Sequence, residues 1–172
     1  MDMLAAIVYP SGFPIDDLMA GLARLMKQRG LRLAGVVQHN EAECEGGDCH
    51  AMSLEELASG RQFPISEERG PGSEGCRLDA SGLAAAGGAV AASLAGAPDL
   101  VILNKFGRQE MLGQGLRQEI AAAVTAGLPV LIAVREDFVS AWREFAGDDW
   151  ARLPPEEAAI EGWASARFGV AA

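Results

Sequence analysis

Two rhythms of apolar residues alternate along the chain. Leu4–Tyr9, Leu31–Val37, Leu100–Leu103 and Pro129–Val134 are short, nearly continuous apolar runs bounded by turn residues, and they predict strands buried on both faces. Between the first two, Leu18, Leu22, Leu25 and Met26 recur at helical spacing and mark one face of a helix that ends at Gly30. Asp16 or Asp17 is placed to cap it. Strand, helix, strand from Leu4 to Val37 predicts a βαβ unit with a parallel pair.

Farther along, Met52–Leu57 and Gln62–Ile65 flank Ser59-Gly60-Arg61 and predict a hairpin. Asp79 or Ser81 caps an alanine-rich helix running to about Leu94, which feeds the Leu100–Leu103 strand. Gly113–Gly115 opens a helix through Thr125, with Leu116, Ile120, Ala123 and Val124 on its inner face. Phe138, Trp142 and Phe145 fit a short amphipathic helix, and 148–172 reads as a C-terminal tail after a domain covering 1–147. His39–His50 and Glu67–Gly75 are polar and glycine-containing, as surface loops are.

Composition narrows the class without altering this outline. A chain of 172 residues fits one domain, and 49% hydrophobic with 22% charged residues is an ordinary globular balance. The net charge of −10, from 24 acids against 14 bases, disfavours nucleic acid and anionic membrane as partners. No apolar run approaches the roughly 18 residues of a membrane span, and Met1–Gly12 has no basic segment before its apolar run. Three cysteines do not suggest a disulfide framework, so a cytoplasmic location is the expectation.

Chemistry is expected where the strands end. In open α/β sheets ligands gather at the carboxyl ends of the strands, and the Leu100 run ends in Asn104 and Lys105, with Arg108 just beyond. A phosphate-hydrolysing protein would carry a magnesium-holding Asp there. The first strand–helix turn, Tyr9-Pro10-Ser11-Gly12-Phe13-Pro14-Ile15-Asp16-Asp17, has one glycine, two prolines and no lysine, so it is not a P-loop. An ordinary turn with an acidic cap, or a weaker anion site on the helix N-terminus using Ser11 and Gly12, are the two readings it allows. Arg77, between a glycine-rich loop and Asp79, offers a forked donor to an oxyanion or a partner to Asp79. Glu110 is placed to pair with Lys105 or Arg108. Cys49, His50 and Cys76, with Cys44, form a loose soft-metal or thiol set without a Cys-x-x-Cys spacing, and incidental cysteines fit the pattern as well.

The segments Leu33–Gln38, Leu54–Gly60, Gly75–Asp79, Asn104–Gly107 and Ala141–Phe145 together resemble a bacterial family of uncharacterised proteins labelled NTP-binding or molybdenum-locus proteins. That family is similar in turn to archaeal-type nucleoside-triphosphatases of the P-loop class. The resemblance covers about 4–147. It implies an α/β, single-domain, three-layer P-loop-NTPase-like fold with a mainly parallel sheet and a small β-hairpin insertion. In the triphosphatase relatives the place of Asn104-Lys105-Phe106-Gly107 carries Asp-Glu-x-Gly, and the first turn is a full P-loop. Both are degenerate here, so the resemblance speaks for binding more than for turnover.

The leading expectation is a non-hydrolysing protein that binds a small anion or nucleotide through Ser11, Gly12, Arg77, Asn104, Lys105 and Arg108. The molybdenum association of the family implies a role in handling molybdate or in metal-cofactor metabolism, and the cofactor candidates are molybdate or a divalent metal. A divergent nucleoside-triphosphate phosphohydrolase using Glu110 or Asp79 as base is the second reading. A metal or sulfur carrier using Cys49, His50 and Cys76 is the third. A protein partner docking on the acidic loops or on Trp150 and Trp163 is a fourth.

Overall fold

The computed structural model describes residues 3–41, 51–67 and 77–169. Cys44, Cys49, His50 and Cys76 lie outside them, and of Arg77 only the backbone is described. The metal and thiol expectation therefore falls outside the described residues. Among those that are described, no group of three or more His, Cys, Asp or Glu side chains could hold a metal ion. No described helix is long and apolar enough to cross a membrane.

The described chain forms one α/β domain. A seven-stranded sheet carries the order β4(Gln62–Pro64)–β3(Ala51–Glu56)–β2(Leu33–Glu41)–β7(Leu100–Phe106)–β8(Val130–Arg135)–β1(Leu4–Tyr9)–β9(Ala151–Leu153). Every pairing from β2 through β9 is parallel, and only the β2–β3 and β3–β4 pairs are antiparallel. The hairpin expected around Ser59–Arg61 is β3–β4, and it extends the sheet edge. A two-stranded sheet of β5(Ser66–Glu67) and β6(Arg77–Leu78) follows it.

The strand runs are apolar throughout because both faces of the sheet are covered. On one face Val101, Leu103, Val130, Ile132 and Val134 pack with α2(Ala80–Leu94), α4(Arg117–Thr125) and α5(Val139–Ala146), through Val90, Ile120 and Trp142. On the other, Leu100, Ile102, Leu131 and Ala133 meet α1(Ile15–Gln28) and α6(Glu157–Phe168), through Met19, Met26, Ile160 and Ala164. Successive residues of one strand thus enter opposite cores, as a two-residue period requires. Leu22 and Met26 are buried as the spacing predicts; Leu18 and Leu25 flank that stripe half-buried. Val124, expected inside, is exposed, because α4 presents only Ile120 and Ala123 to the core.

Three further expectations are corrected. β1 and β2 run parallel, yet they are not neighbours: β7 and β8 lie between them. The helix after β1 starts at Ile15 without a side-chain cap, so Asp16 and Asp17 sit inside its first turn. Residues 148–169, expected as a tail, add β9 beside β1 and pack α6 on the sheet. The Arg29 guanidinium donates to Glu161 at 2.6 Å and joins the end of α1 to α6. Trp150 and Trp163 belong to this packing, edge-on to Trp142 and Phe168 respectively.

Candidate functional site

The parallel strands β1, β7 and β8 all end on the side where α1 begins, which gathers residues remote in sequence. The β7–β8 register shifts between Leu103 and Phe106, so Asn104 and Lys105 leave the regular ladder. An irregularity of this kind re-aims side chains at a strand end. Both turn to the first turn of α1, where one Asp16 carboxylate oxygen accepts from Asn104 Nδ2 at 3.0 Å and from Lys105 Nζ at 3.2 Å. The other oxygen accepts from Asn40 Nδ2, on β2, at 2.8 Å. Gln38 Nε2 donates in turn to Asn40 Oδ1 at 2.9 Å. Three donors from two strands therefore converge on one carboxylate at a helix N-terminus. An anion is favoured there by the exposed N–H groups and the helix dipole, and in this chain the anion is the helix's own Asp16.

Asn104 is 4% exposed, and its Oδ1 has no partner among the described residues. Its amide orientation follows from Asp16, since only the NH2 end can face a carboxylate. The donor set does not suit a magnesium ion. Asp16 is held by an ammonium where a metal would need it free, and Asn104 and Lys105 add an amide and a cation to the cluster, not a second carboxylate.

Two adjoining cavities flank this knot and share Tyr9, Lys105 and Arg135. The smaller, about 280 Å³, runs along the first turn past Gly12, Asp16, Asp17 and Asn40. The larger, about 640 Å³, is walled by Arg108, Met111, Leu112 and Phe138. Its wall is built by Glu110. One carboxylate oxygen accepts from Gly107 N at 3.0 Å and the other from Leu116 N at 3.1 Å, which closes the loop around α3(Arg108–Met111). A Cβ at Gly115, where φ is +62°, would lie 2.4 Å from Glu110 Oε1, so that turn needs glycine.

The Arg108 side chain is exposed and makes no hydrogen bond or ion pair among the described residues. Arg135 grips Asp137 through two bonds, of 2.6 and 2.8 Å, and lies over the Phe138 ring.

Of the residues expected at the site, the fold brings Gly12, Lys105 and Arg108 to the cavities, with Asn104 buried behind them. Ser11 is exposed on the turn and lines neither cavity. Arg77 belongs to the small sheet that follows β4. Glu110 pairs with neither Lys105 nor Arg108, because both its oxygens are used on backbone N–H groups. Asp79 caps α2, accepting from Ser81 N at 2.9 Å, so neither acid is placed as a catalytic base. Tyr9, Asn40 and Arg135 are absent from the expectation, although Tyr9 and Arg135 each end an apolar strand run and face each other in the β1–β8 register.

Tyr9 is 5% exposed, and its hydroxyl has no hydrogen-bond partner among the described residues. Burial first, then the Asp16 charge, pushes its pKa from 10.0 up to about 12. The fold therefore favours the neutral phenol. That contribution to stability is complete below pH 10.0 and is lost as pH rises toward about 12. Tyr9 is the single tyrosine of the chain, so its ultraviolet phenolate absorbance reports it alone. The titration midpoint is expected near 12, and lower in Asp16→Asn; a midpoint at 10.0 would contradict the buried environment.

A family model described as "Protein of unknown function (DUF2478)" matches residues 4–163. The chain is 41% identical, over 161 residues, to "Molybdenum import ATP-binding protein ModC 2" of Bradyrhizobium diazoefficiens. That alignment covers 93% of this chain and spans 18% of the relative's length. Among solved structures, the solution structure of a human cancer-related nucleoside triphosphatase superposes with a TM-score of 0.65 at 15% identity. The match covers 98% of this chain and 99% of the other. At that identity the likeness shows the shared fold, a single-domain α/β architecture like that of P-loop nucleoside triphosphatases.

Proposed function

The chain belongs to the DUF2478 family, and from its site we propose that it binds a small anion or nucleotide and does not hydrolyse it. The observation that carries this reading is the Asp16 carboxylate, held by Asn40, Asn104 and Lys105 at the start of α1. A fixed negative charge there opposes the phosphates that a hydrolase of this fold would bind in the first turn. Room for an anion remains on the other side of Lys105, in the larger cavity with Arg108 and Arg135. The relative named for molybdenum import supports molybdate as a first ligand to test and a role tied to molybdenum handling.

An anion entering this cavity competes with Asp16 for the Lys105 ammonium. Calorimetry should find molybdate, phosphate or a nucleotide binding at millimolar concentration or better. Lys105→Ala should weaken that binding by about tenfold, the worth of one charge-assisted hydrogen bond. Asp16→Asn should strengthen it severalfold by releasing the ammonium. A phosphate-release screen of nucleoside triphosphates with magnesium should give no turnover. Turnover would move the protein to the phosphohydrolases, and no binding of any of these ligands would end the reading.

A further inference from the structure

Among the described residues, three large hydrophobic side chains are exposed: Met111, Leu112 and Val124. Two of them line the larger cavity, where Phe138 adds to the same apolar wall beside the cations. Exposed apolar side chains gathered at a cavity mark a surface that something covers. The Phe138 ring presents a flat surface, with the Arg135 guanidinium carbon 4.8 Å from its centroid.

Size separates the possible occupants. A cavity of about 640 Å³ matches pockets that hold organic ligands, roughly 300–1,000 Å³. A bare tetrahedral oxyanion takes the room of only a few water molecules, ~30 Å³ each, and would leave the apolar wall wet. Tyr9 adds a third, independent sign. Its side chain lines both cavities, and its hydroxyl has no hydrogen-bond partner among the described residues, which leaves it able to donate to a ligand's acceptor.

We propose that the site takes a phosphate monoester of a planar ring system. The phosphate meets Lys105, Arg108 and the Tyr9 hydroxyl, and the ring lies against Met111, Leu112 and Phe138. The proposal rests on the anion reading above and narrows it to a ligand with one charged end and one flat apolar end.

Calorimetry on the full chain with adenosine monophosphate, FMN and inorganic phosphate separates the alternatives. At least one ring phosphate is expected to bind about tenfold or more tightly than inorganic phosphate, from the apolar area it covers. Leu112→Ser changes a side chain that is 60% exposed, so the fold tolerates it. It is expected to weaken the ring phosphate about threefold or more and to leave inorganic phosphate unchanged. Lys105→Ala is expected to weaken both alike. Equal affinity for all three ligands, or a Leu112→Ser variant with an unchanged ratio, overturns the proposal and leaves the anion reading standing. Binding of molybdate alone has the same consequence. If no anion binds, both readings fall together.

Discussion

Gly35→Ala is expected to leave little folded protein. Gly35 lies within β2 at φ +103°, a conformation that side chains rarely adopt. A Cβ built there falls 1.9 Å from the carbonyl oxygen of Ile102 on β7. Ordinary C···O contacts are about 3.3 Å or longer, so β2 and β7 would have to part by more than an ångström. Their parallel ladder, Leu33–Val36 against Leu100–Leu103, is at the centre of the sheet and supplies both cores. Backbone strain and the lost close approach together are expected to cost on the order of 4 kcal/mol. That is a large share of a total of roughly 5–15 kcal/mol. Gly30→Ala provides the control. There φ is +88° with nothing within 4 Å of the new Cβ, so only conformational strain of about 1 kcal/mol is added. Urea denaturation monitored by tryptophan fluorescence should separate the two variants. Equal losses would show that the β2–β7 approach is not as close as the structure has it.

Glu110→Ala is expected to be the second most damaging change, and its damage reaches the site. The side chain is 7% exposed, and its two oxygens accept from Gly107 N and Leu116 N. Truncation orphans both N–H groups and empties the space against which Gly115 turns. Each charge-assisted bond is worth about 1.5–3 kcal/mol, so a loss of roughly 3 kcal/mol is expected after partial rehydration of the loop. The residues between the two anchored amides include Arg108, Met111 and Leu112, which wall the larger cavity. Amide hydrogen exchange over 107–116 should accelerate more than exchange in β7 or β8, and anion affinity should fall with it. Glu110→Gln keeps one acceptor and should retain about half of the stability. Unchanged exchange in the loop would contradict the buttressing role. A catalytic base at this position would instead lose turnover without loosening the loop.

Much of the framework is legible in local pattern. β1, β7 and β8 are readable because burial on both faces demands uninterrupted apolar runs, and the Leu116, Ile120 and Ala123 spacing marks the inner face of α4. β9 and α6 escape because their signals are weak. β9 has three residues, two partly buried and one exposed, and α6 buries only Ile160 and Ala164 among small and polar neighbours. β2 runs on to Glu41, through residues that look like a loop, because β3 pairs with His39, Asn40 and Glu41. That pairing is a property of a partner strand and leaves little trace in the polar residues themselves.

The site divides along the same line. Asn104, Lys105 and Arg108 can be placed at a strand end from the apolar run before them, and the absence of a P-loop lysine is plain in Tyr9–Asp17. The role of Asp16 cannot be read that way, since its partner Asn104 is 88 positions away. As a first-turn acid it looks like a cap; as the neighbour of Lys105 and Asn40 it is a resident anion. Tyr9 and Arg135 meet for an equally non-local reason, the register of β1 beside β8. By itself, then, the sequence determined which segments are strands and helices, and which residues stand at the strand ends. Spacing and burial periodicity are carried by neighbouring residues, and they need no knowledge of the rest of the chain. Only the tertiary structure decided that β8 separates β1 from β7, that Asp16 neutralises Lys105, and that Glu110 holds a loop. Each of these depends on which strands and loops become neighbours, and many local patterns are compatible with more than one such order.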